Sequence, residues 1–260
     1  MKPRALIPAL AVCLLSAATA TLSAEDVLVT YGLNSTNLAG VASNVAPSIT
    51  AESMTAFADG AAAGNFGFSG SNGQAFSRLS SVTSGGSALL ATNLADALTG
   101  TRYFAFTLTP KAEQTISMGS VSFDMIIQNI SPTPPATTTY NAFEANFALV
   151  ASLGGQDYTI GTSSMLGQTS SGIRQGGTAT FDLTSVSGVD FSAVTSAVTF
   201  KIYLYTTGTE TNYYETIRFT NLTVNTPAPN NIPEPAHTAL ILAGALGLLL
   251  FTYRRFRRVG

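Results

Sequence analysis

Tyr203, Tyr205, Tyr213 and Tyr214 lie within twelve residues of one another, in and just after a strand-like run. An aromatic ring can stack on the apolar face of a sugar, and the phenol hydroxyl adds a polar contact. These four tyrosines are therefore the candidate glycan contact of a chain that has no Trp. Val198, Phe200, Ile202 and Leu204 alternate with Thr199, Lys201 and Tyr203, so Tyr203 and Tyr205 point away from the apolar set. If 198–206 and 216–224 are neighbouring strands, Tyr213 and Tyr214 sit in the loop that joins them. Tyr is also favoured in half-buried strands, so plain packing competes with stacking.

Residues for other chemistries are few. The one His is His237 and the one Cys is Cys13, and both lie in apolar terminal segments. A body without them can hold no Ser-His-Asp triad, no Cys-His pair and no His- or Cys-ligated zinc. Glycosidases need only two carboxylates; Asp124 and Glu144 fall on strands, but on the polar parity of solvated faces. A polysaccharide lyase could draw on Tyr203, Tyr205, Arg102 and Arg218, which no spacing brings together. Asp157, Asp182 and Asp190 could give oxygen ligands to a structural Ca²⁺, though without EF-hand spacing. No catalytic set and no other cofactor emerges, and the expectation is a non-enzymatic protein.

The ends of the chain carry an address. Residues 1–24 place Lys2 and Arg4 before a short apolar stretch and then small residues, the pattern of a secretory signal peptide. Residues 225–235 hold four prolines and three asparagines and read as an extended spacer. Ala236–Tyr253 is almost wholly apolar; as a helix it spans about 27 Å, enough for one transmembrane pass. Arg254, Arg255, Arg257 and Arg258 follow and would hold that end in the cytoplasm. Between Glu25 and Pro235 lie six basic and fourteen acidic residues, a balance of −8. So acidic a body speaks against nucleic-acid binding, which requires phosphate neutralisation.

Pro233-Glu234-Pro235, a short apolar span and a terminal Arg cluster together resemble the PEP-CTERM sorting signal of exported bacterial proteins. The resemblance covers about the last 30 residues. It implies export-machinery partners, an inner-membrane intermediate with the body facing the periplasm, and processing at the motif by an exosortase-type enzyme. It further implies delivery to the cell surface or an exopolysaccharide matrix.

The body, residues 25–224, is dominated by period-two alternation: Phe104, Phe106, Leu108; Val121, Phe123, Met125, Ile127; Phe143, Ala145, Phe147, Leu149. Nine to eleven such runs predict an all-β, jelly-roll-like antiparallel β-sandwich in one domain. Gly154-Gly155 predicts a tight hairpin, and Gly176-Gly177 a turn. Ile217 and Phe219 share a parity that Leu222 and Val224 do not, which predicts a bulge at Thr220–Asn221. Gly60–Gly73 and Ser131–Thr139 read as loops, Leu89–Leu98 as a short helix or a strand plus turn, and 185–197 as a helical turn. The functional expectation is a structural or adhesive module in a biofilm setting. A carbohydrate-binding module using outward tyrosines is the alternative, and a polysaccharide-acting enzyme is the least favoured.

Overall fold

The computed structural model describes residues 26–32, 40–57, 66–69, 74–78, 91–129, 144–166, 172–207 and 215–228. The signal peptide, the PEP motif, the apolar segment, the Arg cluster, Phe143, Tyr213, Tyr214 and the Ser131–Thr139 loop lie outside them. Among the described residues no helix is long and apolar enough to cross a membrane.

Those residues form β1 (Val27–Gly32), β2 (Val41–Ser43), β3 (Ile49–Ala51), β4 (Thr55–Phe57), β5 (Phe66–Ser69), β6 (Gln74–Arg78) and β7 (Tyr103–Pro110). They continue with β8 (Ser120–Asn129), β9 (Glu144–Leu153), β10 (Gln156–Leu166), β11 (Gly172–Asp182), β12 (Val198–Thr207) and β13 (Glu215–Asn225). One short helix, α1 (Leu94–Thr99), interrupts the strands. The first sheet runs β11-β8-β13-β1-β2, with β6 against the other half of β13 and β5 outside it. The second runs β10-β9-β12-β7-β3, with β4 also on β7. All these pairings are antiparallel.

The alternating residues of both sheets meet in one core. Phe104, Phe106, Phe147 and Phe200 of the second sheet pack with Val29, Tyr31, Phe123, Ile217 and Phe219 of the first. Phe219 joins the layers: its ring centroid lies 5.1 Å from Phe104 and 5.1 Å from Phe123. Each fully buried Phe of this kind contributes about 1.5–3 kcal/mol of apolar transfer. The buried Tyr31 hydroxyl donates to the Glu52 carbonyl at 3.0 Å, and burial pushes its pKa up.

β13 shows how sequence irregularity becomes geometry. Ile217, Phe219, Leu222 and Val224 are all fully buried although they do not share one parity. The register against β8 shifts between Thr220 and Thr223, and Asn221 takes φ 52°. This is the bulge the sequence predicts; Asn is among the residues that tolerate a left-handed backbone. The Asn221 amide donates to Asp124 Oδ2 at 2.8 Å, and Thr178 Oγ1 donates to Asp124 Oδ1 at 2.6 Å. Asp124 thus fastens the bulge on the outer face of the first sheet.

Other turn signals resolve differently. Gly154 (φ 63°) and Gly155 (φ 82°) form the two-residue hairpin between Leu153 and Gln156, as expected. Gly176-Gly177 is not a turn. It is a bulge inside β11, where the register against β8 shifts between Gln175 and Thr178. Met165 of β10 lies so close that a Cβ on Gly176 would sit 2.5 Å from its Sδ, which explains the missing side chain.

The Gly-rich 60–73 segment also departs from a plain loop. Its Phe66 and Phe68 lie in β5 and pack on Phe104 at 4.4 and 5.5 Å. Within 185–197 no helical turn forms. Val194 instead bridges Ile116, and Phe191 and Val194 are buried. Finally, β12 and β13 are not neighbours; they belong to opposite sheets. The connection bearing Tyr213 and Tyr214 therefore links the two layers instead of closing a hairpin.

Asn221→Gly should leave stability within about 1 kcal/mol, since Gly accepts the left-handed backbone at little cost. Asn221→Val should lose about 2 kcal/mol or more, from backbone strain and the lost amide bond. Urea unfolding of the two variants checks the contrast.

Candidate functional site

The outer face of the second sheet carries the side chains that alternation excludes from the core. β9 and β12 contribute Glu144, Asn146, Ala148, Val150 and Ser152 opposite Thr207, Tyr205, Tyr203, Lys201 and Thr199. Tyr203 and Tyr205 do lie opposite the sandwich core, as the sequence predicts. They are not open to solvent, being only 4% and 6% exposed.

The cover is α1. Ala97 packs with Ala148, Val150, Tyr203 and Tyr205 in a second, separate apolar cluster, flanked by Ala91, Leu94, Leu98 and Tyr103. So short a helix needs both ends capped. Asn93 Oδ1 accepts from the Asp96 N–H at 2.9 Å, and the Asn93 amide donates to Asp96 Oδ2 at 2.7 Å. At the other end the Gly100 N–H donates to the Asp96 carbonyl at 3.0 Å. The Thr206 N–H donates to the Ala91 carbonyl at 2.9 Å and ties the preceding chain to β12.

Beside this covered patch an aromatic row runs toward the sheet edge. Phe57 on β4 faces Tyr103 on β7, with stacked rings 4.9 Å apart, and Tyr103 meets Tyr203 at 5.3 Å. Phe57 is 44% exposed, a large value for a Phe in a strand pair, and its ring is the part of the row that a ligand can reach. Lys201 Nζ lies 5.8 Å from the Tyr103 ring and 2.9 Å from Asp157 Oδ2. Ser152 Oγ also donates to Asp157, and these two hydrogen bonds hold its carboxyl below the usual carboxylate range. Thr107 and Thr199 hydroxyls, 3.0 Å apart, extend the polar part of the strip. Burial, with lesser effects from Tyr103 and Asp157, pushes the Tyr203 phenol up to about 12. Burial, with Glu144, also raises Tyr205.

The remaining sequence candidates are dispersed. Glu144 accepts from Ser164 Oγ at 2.6 Å and Thr207 Oγ1 at 3.2 Å on this face, whereas Asp124 is on the outer face of the first sheet. The two carboxylates cannot flank one glycosidic bond. Arg218 lies on the first sheet, bonded to Gln74 Oε1 at 2.8 Å, and so belongs to the layer opposite Tyr203 and Tyr205. Asp182 accepts from Thr184 and Ser185, Asp190 from the Ser192 N–H and Asp157 from Lys201. Among the described residues no three acidic, His or Cys side chains converge for a metal.

Phe57 and Tyr103 are the site residues the sequence reading passed over. The chain does contain a cue to the cover. Phe147–Ala151 is apolar without a break, which signals a strand buried on both faces, and Leu94 and Leu98 have the spacing of one helix face.

No family model and no curated protein matches the chain. Solved structures that resemble it include one described as "CBM4 structure and function", at 12% identity and TM-score 0.33, covering 67% of this chain and 86% of that one. A non-crystalline cellulose specific carbohydrate-binding module, CBM28, matches at 8% identity and TM-score 0.31, over 59% of this chain and 81% of its own. A family 11 carbohydrate-binding module from Clostridium thermocellum, in complex with a β-1,3-1,4-mixed-linked tetrasaccharide, matches at 11% identity and TM-score 0.28, over 79% and 98%.

The Tyr203 shift has a measurable sign. The unfolded phenol ionises near 10.0 and the folded one near 12, so folding stability is intact below pH 10 and declines between those values as the unfolded state loses its proton first. Absorbance titration of the phenolates should show a late component, shared with Tyr31 and Tyr205, that Tyr203→Phe reduces, and the variant should lose less stability over the same alkaline range.

Proposed function

We propose that the protein is an exported, non-enzymatic module of the cell surface or extracellular matrix, and that the outer face of its second sheet contacts polysaccharide. The observation that carries this reading is the half-exposed Phe57 stacked on Tyr103, with Lys201, Asp157 and a hydroxyl ladder alongside. A ring for stacking beside fixed donors and acceptors is the arrangement that suits a sugar polymer. The dispersal of Asp124, Glu144 and Arg218 over two sheets supports a binding role over hydrolysis or elimination. Strand orders β1-β13-β8-β11 and β7-β12-β9-β10 support a jelly roll as the scaffold. Weak single contacts would be multiplied by many copies along one polymer.

The terminal segments supply the route. The signal peptide exports the chain, the segment after Pro235 holds it in the inner membrane, and processing at Pro233-Glu234-Pro235 by an exosortase-type enzyme releases or transfers the domain. Asp26 and Thr226 are joined by two hydrogen bonds, of 3.0 and 2.8 Å, so the chain enters and leaves the sandwich at one place. That end also holds Asn225, Ser120 and the β9–β10 hairpin. Phe57 and Tyr103 lie toward the opposite end of the strands.

Affinity electrophoresis of the full-length chain in non-ionic detergent tests the binding reading. Phe57→Ala and Tyr103→Ala should each weaken retardation by a soluble polysaccharide about 2–10-fold. Tyr158, beside the β9–β10 hairpin with its hydroxyl donating to Gln156 Oε1 at 3.2 Å, is the control, and Tyr158→Ala should leave retardation unchanged. Intact-mass spectrometry of the protein from its native host tests the route. A matrix form beginning near Thr21 or Glu25 and ending near Pro235 is expected, and recovery of only the full-length tail in the inner membrane would contradict it.

A further inference from the structure

We infer that the outer-face strip selects uncharged polysaccharides and rejects those built from uronic acids; this rests on the polysaccharide reading of the same strip. The balance of charge around Phe57 and Tyr103 sets this preference. Lys201 is the cation that points into the strip, and it is already paired with Asp157 at 2.9 Å. Arg102, just before β7, is half-buried and has an interaction partner of its own. On the same face stand the carboxylates of Asp157 on β10 and Glu144 on β9, with exposed Asp96 on the covering α1.

Among the described residues, a uronate approaching Phe57 therefore meets no cation without a partner of its own. To pair with Lys201 it must share that cation with Asp157, which brings two carboxylates together, and Ser152 and Lys201 hold Asp157 in place. A neutral sugar has no such conflict. Its hydroxyls can donate to the outer lone pairs of Asp157, which is 53% exposed, and accept from Lys201 without breaking the pair. The acidic balance of the body, −8 between Glu25 and Pro235, adds a long-range repulsion of the same sign.

The test is affinity electrophoresis of the full-length chain in non-ionic detergent, through gels containing a neutral β-glucan, a neutral xylan, alginate or polygalacturonate. The expected result is retardation by at least one neutral polymer and none by the uronates. Neutral retardation should be insensitive to salt between about 0.01 and 1 M, where the screening length falls from roughly 30 to 3 Å. Asp157→Asn frees Lys201 and should bring in uronate retardation that salt abolishes, while neutral binding falls a few-fold. Lys201→Gln should show no uronate retardation. Stronger retardation of the unaltered protein by a uronate than by either neutral polymer would overturn the selectivity and leave polysaccharide binding standing. Retardation by none of the four would overturn the polysaccharide reading itself.

Discussion

The structure depends on β13 burying its whole inner face while serving three neighbours. It pairs with β8 along one side, and on the other with β6 at its first half and β1 at its second. A regular strand with this sequence would turn Leu222 and Val224 outward, because side chains alternate with a strict period of two. The single left-handed residue at Asn221 resets the phase, and Asp124 and Thr178 hold the reset in place. Phe219, just before the bulge, then reaches Phe104 across the sandwich and Phe123 within its own sheet. The core closes around that ring, so the phase change in β13 is a condition for the two layers to pack.

The same division into layers decides what chemistry the molecule can do. Side chains on the two outer faces are separated by a full core and cannot cooperate. Asp124, Asn221 and Arg218 belong to one face and are used in fastening strands and loops. Glu144, Lys201, Asp157 and the tyrosines belong to the other. Residues that would make a plausible catalytic set on paper are thus split by the topology. What is left on the second face is a graded surface: an apolar patch sealed by α1, a reachable aromatic row, and a strip of hydroxyls around one ion pair.

α1 accounts for the contrast between Tyr203 and Phe57. Six residues make little helix on their own, and this one survives through reciprocal Asn93–Asp96 capping and through Ala97 seated against Ala148 and Tyr203. By covering the middle of the sheet it protects Val150 and the two β12 tyrosines from water. Among the described residues α1 does not extend over β4, and Phe57 remains exposed there.

Much of the architecture follows from the sequence alone. The period-two runs of β7, β8, β9 and β12 name their own buried faces, because a strand with one wet side must alternate. The Gly154-Gly155 hairpin and the Asn221 bulge were legible because each is enforced by local backbone geometry, the first by positive φ at both turn residues and the second by a parity break. The all-β class belongs to the same kind of information. What the sequence could not decide was which surfaces meet. Tyr203 and Tyr205 obey their alternation and yet are buried, since a segment one hundred residues earlier folds over them. Phe57 and Tyr103 become a pair only when β4 aligns on β7. Gly176-Gly177 carries a turn's composition but forms a bulge within β11, with β8 paired on either side of it and Met165 packed on it. Alternation fixes the direction of a side chain relative to its own strand, and only the packing of distant segments determines whether that direction leads to water or to another part of the chain.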